Sequence, residues 1–376
     1  MLCGTAYRLH LQLAGDRFEE LRELCAAAGD KASLAIAMVA LVIESVYQER
    51  VREASQLASE QMALIESVGD PTLMVGLSFI PIYAKAETVE VSDMLRWSQR
   101  VIDLADGDPS KGNFIIGSPL AFAFTSRGAA RYFLGRPGWR DDLRHALAMA
   151  RSADPAAHAH VACWVYIAGI PYGVLSPDDR AVREIEDALK DAERCGDDFA
   201  VSQARFALGV TLVHRRTAAG RDRGHKLLTE VSEMVLRTGS GLSTLQAVNV
   251  YSARERARGG DRDEAILLMR AAADHVFREG QLLVYGIPAT GVLVETLLDR
   301  GTDADVAEAQ AAIERLAAAP ADEGLVIREI WLLRLRALLA RAHGDAAAYA
   351  DFRDRYRDMA TSLGDEGHME WAEAMP

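Results

Sequence analysis

One feature limits the folds open to this chain more than any other: turn signals return at an almost constant interval. They stand at Gly29-Asp30, Gly69-Asp70, Gly107-Asp108, Ala153-Asp154, Gly196-Asp197, Gly239-Ser240, Gly280, Pro320 and Gly364-Asp365, separated by 40, 38, 46, 43, 43, 41, 40 and 44 residues. A period of this length marks stacked supersecondary units. Glycine stops a helix because it accepts the left-handed conformation without a Cβ clash. The Asp or Ser after it is a good N-cap for the next helix.

Most units break again inside, as at Gly15-Asp16, 135–138, Ser176-Pro177, 259–261, Gly301 and Gly344-Asp345. Each unit therefore reads as two helices joined by a short turn. Proline behind a capping residue marks further starts at Asp70-Pro71, Asp108-Pro109, Ser118-Pro119, Asp154-Pro155 and Ser176-Pro177. Its missing N–H has no intrahelical partner in the first turn anyway.

Second helices are amphipathic. Across 177–194 the apolar set is Val182, Ile185, Leu189 and Ala192, at helical spacing. The helix opening at Asp261 has a capping-box pattern with Glu264 and the stripe Ala265, Leu268, Met269, Ala272 and Val276. First helices, as in 161–169 and 204–213, are apolar on most sides, which requires neighbours on both flanks. Gly128 and Gly209 lie inside such helices. An interior glycine costs about 1 kcal/mol against alanine, so each points to a close approach of backbones. No segment alternates with period two.

The fold expected is an all-α, right-handed α-solenoid of about nine helical hairpins, running as one superhelix over 1–376. Repeats at 1–115 and 116–365 are followed by a terminal cap at 366–376. An abrupt helix-like start at Leu2 suggests a homodimer through an uncapped N-terminal repeat, or a missing preceding domain.

Composition removes several functions. Among 376 residues the net charge is −13 and the pI about 5.2, whereas a nucleic-acid binder shows a basic stripe. The longest apolar stretches, 32–43 and 163–175, fall short of the ~20 residues of a membrane span. No secretory signal opens the chain, so a cytoplasmic protein is expected. The four cysteines, Cys3, Cys25, Cys163 and Cys195, are far apart and form no disulfide framework.

Leu208-Gly209 and Gly260-Asp261…Glu264-Ala265 resemble the tetratricopeptide repeat, in a longer-period variety than the usual 34-residue unit. The stretches 135–142, 148–155, 286–296, 330–336 and 367–376 resemble the C-terminal helical tail of bacterial class III nucleotide cyclase–ATPase signalling proteins, most clearly over 118–376. The resemblance implies a regulatory tail with a cyclase/ATPase module as partner. The catalytic motifs of that family are not found. Gly107-Asp108-Pro109-Ser110-Lys111-Gly112 places its lysine before the second glycine, unlike a P-loop.

Chemistry-bearing sets are sparse. His158, His160 and Cys163 put at most two groups on one helix face, too few for the four ligands zinc wants. No metal, cofactor or catalytic residue is therefore assigned. Polar and aromatic residues on first helices are the candidates for a concave binding groove: Tyr83, Lys85, Arg127, Arg131, Trp164, Tyr166, Asn249, Tyr251, Arg254, Arg328, Trp331 and Arg334. Such groups anchor partner peptides, although aromatics also serve as core anchors and arginines as solvated rim. Trp139, in the 136–142 turn, reads as a local plug. Ile80-Pro81, Ile170-Pro171 and Ile287-Pro288 read either as helix starts or as kinks. The function expected is a non-catalytic regulatory module binding a protein or peptide; the alternative is a small-molecule sensor holding its ligand in the superhelix bore.

Overall fold

In the computed structural model, residues 15–115, 117–238 and 242–375 are described. The helix-like start at Leu2 and the turn at Gly239-Ser240 lie outside them. The described residues are largely helical, with no strand among them. The helices are α1 (Gly15–Ala28), α2 (Lys31–Tyr47), α3 (Val51–Val68), α4 (Pro71–Leu77), α5 (Phe79–Glu87), α6 (Val91–Ala105), α7 (Pro119–Phe133), α8 (Trp139–Ala153), α9 (Pro155–Gly169) and α10 (Asp179–Cys195). They continue as α11 (Asp198–Val213), α12 (Ala218–Thr238), α13 (Leu242–Arg258), α14 (Arg262–Glu279), α15 (Ile287–Arg300), α16 (Asp303–Ala318), α17 (Val326–Ala342), α18 (Ala346–Leu363) and α19 (Glu366–Glu373).

Neighbours in sequence pack as antiparallel pairs, giving eight hairpins among the described residues from α2·α3 to α17·α18, with α4 and α5 sharing one arm. The expected punctuation performs its physical role. Gly69, Gly196, Gly280 and Gly364 close α3, α10, α14 and α18 in the left-handed region. Asp70, Asp154, Asp178, Asp197 and Asp345 accept hydrogen bonds from the first-turn N–H groups of their helices. Gly209 and Gly224 bring α11 and α12 together: a Cβ on Gly224 would lie 2.8 Å from the Gly209 carbonyl oxygen.

Several local expectations fail for identifiable reasons. No helix opens at Pro109; residues 106–115 form turns and α7 starts at Pro119. Asp178, not Ser176, caps α10. Asp261 makes no side-chain cap, and Glu264 instead lies 3.4 Å from Arg256. Leu268 is exposed rather than part of the buried stripe. α1 begins at Gly15, and the residues before the expected break at Gly15-Asp16 lie outside the described ones. A reciprocal capping box does form at Thr302 and Asp305.

Pro81 and Pro288 sit in first turns, and each also breaks a helix. The Pro81 ring excludes the carbonyl four residues earlier, so α4 stops at Leu77 and α5 begins at Phe79. The Pro288 ring acts on a π-helical turn, Leu282–Gly286, which precedes α15. Pro171 follows the end of α9.

The superhelix closes on itself, which periodicity alone does not reveal. The α5 helix touches the Leu282–Gly286 turn, and α2 touches α13. Ser92 N–H donates to Asp322 at 2.7 Å, and His275 Nε2 lies 3.0 Å from Glu49. Farther along, α19 lies across the 172–174 turn, where His368 N–H donates to the Gly173 carbonyl at 2.8 Å and Glu366 N–H to that of Val174 at 3.0 Å. Closure turns the concave face inward. Among the described residues no helix is long and apolar enough to cross a membrane.

Candidate binding cavity

Inner helices, apolar all round, line the closed bore with aromatic side chains. Phe79 and Tyr83 of α5 stand one turn apart, their ring centroids 6.5 Å apart and the planes nearly parallel. Phe122 of α7 meets Phe79 at 4.3 Å. Trp164 of α9 presents its edge to Tyr83 at 4.5 Å. Tyr47 at the end of α2 and Phe199 at the start of α11 pack at 5.9 Å, with His160 at 5.9 Å from Phe199. Together with Tyr172, Tyr285, Gln203 and Glu87 they wall a cavity that gives about 100 Å³ of free movement to the centre of a water-sized molecule. One water needs about 10–15 Å³ on this measure. The room therefore suits several waters or one compact organic group.

Polar atoms are few here, and two lack partners. Glu87 is 1% exposed. It accepts a hydrogen bond from Tyr83, while its Oε2 has no partner among the described residues. Burial pushes its carboxyl up to about 7; the Tyr83 hydrogen bond opposes the rise and the nearby Glu49 carboxylate adds to it. Tyr172, also buried, has an unpartnered hydroxyl. Tyr285 is bonded to Thr244. Among the described residues the lining carries no lysine or arginine.

Of the twelve residues singled out from sequence, Tyr83 and Trp164 line this cavity. The other ten do not, and most are engaged elsewhere. Lys85 is buried against Ser55 at 2.7 Å and Glu90 at 2.5 Å. Arg127 grips both Asp142 oxygens, at 2.5 and 3.0 Å, and Arg131 joins them at 2.8 Å, clamping α7 to α8. Tyr166 is buried on another face of α9. Asn249 is exposed. Tyr251 packs on His214 at 5.0 Å, and Arg254 donates to the Val213 carbonyl at 3.0 Å. Burial pushes Arg254 down to about 10. Arg328 donates to the Ala319 carbonyl at 2.7 Å.

Trp331 and Arg334 belong to a second aromatic cluster, at the seam where α19 docks. Trp331 Nε1–H donates to the Tyr172 carbonyl at 3.3 Å. Arg334 pairs with Glu295 and lies 5.0 Å from the Trp371 ring centroid. Tyr356 Oη lies 2.9 Å from His368 Nδ1.

The histidine–cysteine string is dispersed. His158 bonds Asp191 at 2.7 Å and lies 3.4 Å from Glu184. Burial opposes its charge, but these two carboxylates outweigh it and hold its pKa above the usual value. Cys163 is buried, and His160 faces the bore. Trp139 is a buried plug, edge-on to Tyr132 at 5.9 Å.

Sequence reasoning missed Glu87, Phe79, Phe122, Tyr172 and Tyr285. One signal was present: Glu87 follows Tyr83 by four residues and therefore shares its helix face, on a helix with little other charge.

The fold has a counterpart among solved structures. A Rap protein, in a crystal structure complexed with competence and sporulation factor, matches with TM-score 0.55 and 13% identity over 90% of this chain and 96% of that one. A circular tandem repeat protein with novel repeat topology aligns over 99% of this chain and 95% of that one at 16% identity, with TM-score 0.24. No family model and no curated protein matches the chain. The likeness to the Rap protein is one of helical-repeat fold.

Proposed function

We propose that this chain is a non-catalytic regulatory module that takes a short peptide or small molecule into its closed bore. The observation that carries the reading is the cavity itself: a concave, aromatic enclosure with few polar groups is the usual form of a ligand site. Fold likeness to a protein crystallised with competence and sporulation factor supports it. The same enclosure disfavours a long open groove for a folded partner, because the inner faces of α5, α7 and α9 meet one another across the bore. The output belongs to a partner. The resemblance of 118–376 to cyclase–ATPase tails supports a cyclase/ATPase module in that role, biased by whether the bore is filled. A ligand shifts such an equilibrium only by its differential affinity for the two states.

The test fills the bore from inside. Ala129 lines it, and Ala129→Leu places three carbons in the free space. In a thermal-shift panel of short peptides and small metabolites, ligands should raise the melting temperature of the native chain by about 3 °C or more. They should raise that of Ala129→Leu far less. A partner protein that binds both chains equally, with no hit from the panel, would overturn the reading.

A further inference from the structure

The unpartnered oxygen of Glu87 says more about the ligand than the shape of the cavity does. A carboxyl group offers about four acceptor sites, and Tyr83 fills one. A buried acceptor without a partner is expensive, and native interiors leave few of them. Among the described residues no lysine or arginine completes it: Lys85, two residues earlier, is held by Ser55 and Glu90, and the lining has neither.

The charged group that acts on Glu87 has its own sign, and His160 lines the same cavity on α9. Glu49, just beyond α2, acts on Glu87 and has an unpartnered buried oxygen of its own. The rings of Tyr83, Trp164, Phe79 and Phe122 carry negative faces, which attract cations. An anionic ligand would meet repulsion from both carboxylates. Resting on the reading of the bore as a ligand pocket, we propose that it takes an amine on a compact apolar body, with the ammonium group on Glu87 and the body against these rings. The amine can be free or the N-terminus of a peptide; the chemistry recognised is the same.

The proposal has a proton signature. Around Glu87 stand Tyr83 on its own helix, Tyr47 at the end of α2, Glu49 just beyond it, His160 on α9, Tyr285 on the π turn and Tyr172 across the bore. Beyond Glu49 stands His275. The lining residues of α6 and α7 carry no ionisable group, and α3 contributes none to the wall. Glu87 is the carboxyl that meets the ammonium ion: the empty cavity holds it protonated in mildly acid solution, and the bound amine expels that proton.

Calorimetric titration of the full chain tests this with 2-phenylethylamine and 2-phenylethanol, which share a body and differ in charge. The amine should bind at least about tenfold more tightly near neutral pH. Glu87→Gln, which keeps the shape, should erase that preference while leaving the alcohol within about twofold. Below about pH 7 the affinity of the native chain for the amine should climb close to tenfold per pH unit, with a proton released in buffers of differing ionisation enthalpy. Phe-Gly-Gly with a free or acetylated N-terminus separates the sources: a preference for the free terminus assigns a peptide, binding of neither assigns a free amine, and equal binding of both overturns the cation. Equal binding of amine and alcohol leaves the bore reading intact and overturns the cation. A preference that survives Glu87→Gln also overturns it. If neither compound binds, the bore reading falls and this proposal with it.

Discussion

The bore and the α19 seam are built from the same materials and behave differently. Each gathers aromatic rings and a charged group on inner helices. In the seam the rings are jammed together. Trp331, Trp371 and His368 stand 5.0 to 5.6 Å apart, a Cβ on Gly173 would lie 2.6 Å from Trp371, and one on Gly291 would collide with the Trp331 ring. The bore keeps free space beside Trp164 and an acceptor with nothing to accept from. Packing density, not residue type, separates a structural cluster from a receptive one, since a close-packed interior has no room for a guest.

The sharpest way to break this comparison is to delete one tryptophan from each. Trp331 is 3% exposed, and Trp331→Ala should destabilise by about 3–5 kcal/mol, the range for large aromatic deletions in cores. Trp164 already faces free space and is only half-buried, so Trp164→Ala should cost roughly half as much. Urea unfolding monitored by circular dichroism measures both. Equal losses would mean that the bore is packed like the seam.

Acidity gives the next largest effect, and each region supplies one carboxyl. Glu87 and Asp365 are both pushed up to about 7, first of all by burial. Tyr83 opposes and Glu49 assists the rise in Glu87; Arg140 opposes and Glu366 assists that in Asp365. A carboxyl whose folded pKa exceeds its unfolded value stabilises through its protonated form. That contribution is whole below the unfolded values near 4 and is lost as pH rises to about 7. It is on the order of 3 kcal/mol for each group. Taken alone, these two carboxyls lower the urea midpoint from pH 4.5 to pH 7.5. His158, held above its usual pKa, acts in the same direction, whereas His214 and His368, held well below theirs by burial, act in the opposite one, so single variants are needed. Glu87→Gln and Asp365→Asn should each remove part of the slope. A bound amine should remove only the Glu87 part, because Asp365 lies in the seam.

Much of this architecture was legible because it is local. A left-handed glycine, an Asp whose side chain reaches an N–H three residues on, and a stripe such as Ile185 and Ala192 act within one or two turns. Pro109 misled because a capping pair is only a permission to start a helix; residues 106–115 form turns instead. The cavity was legible only in part. Tyr83 and Trp164 stood out as polar-edged aromatics on inner helices, but so did Lys85, Arg127 and Arg334, whose partners Glu90, Asp142 and Glu295 lie 5 to 39 residues away. Whether a charged group is already answered depends on contacts between repeats. Closure, which joins 47–87 to 275–285, leaves no periodic trace at all.

The smallest effect comes from adding atoms to each region. In the seam, Gly291→Ala should gain up to about 1 kcal/mol of helix propensity, because Gly291 lies within α15 away from any left-handed turn. Against that, the new methyl strikes the Trp331 ring. That ring cannot retreat, since its Nε1–H is tied to the Tyr172 carbonyl and Trp371 and His368 stand against its faces and edge. Overpacking of a filled core costs about 1–3 kcal/mol, so the net sign should be destabilising. In the bore, Ala129→Leu adds three carbons where about 100 Å³ is free. Apolar burial there meets little strain, and the change should stay within about 0.5 kcal/mol of zero. Thermal unfolding of the pair therefore reads the difference directly: a loss for one added methyl in the seam and near silence for three added carbons in the bore. Comparable losses would show that the cavity walls are as rigidly filled as the seam, leaving no receptive space for a ligand to enter.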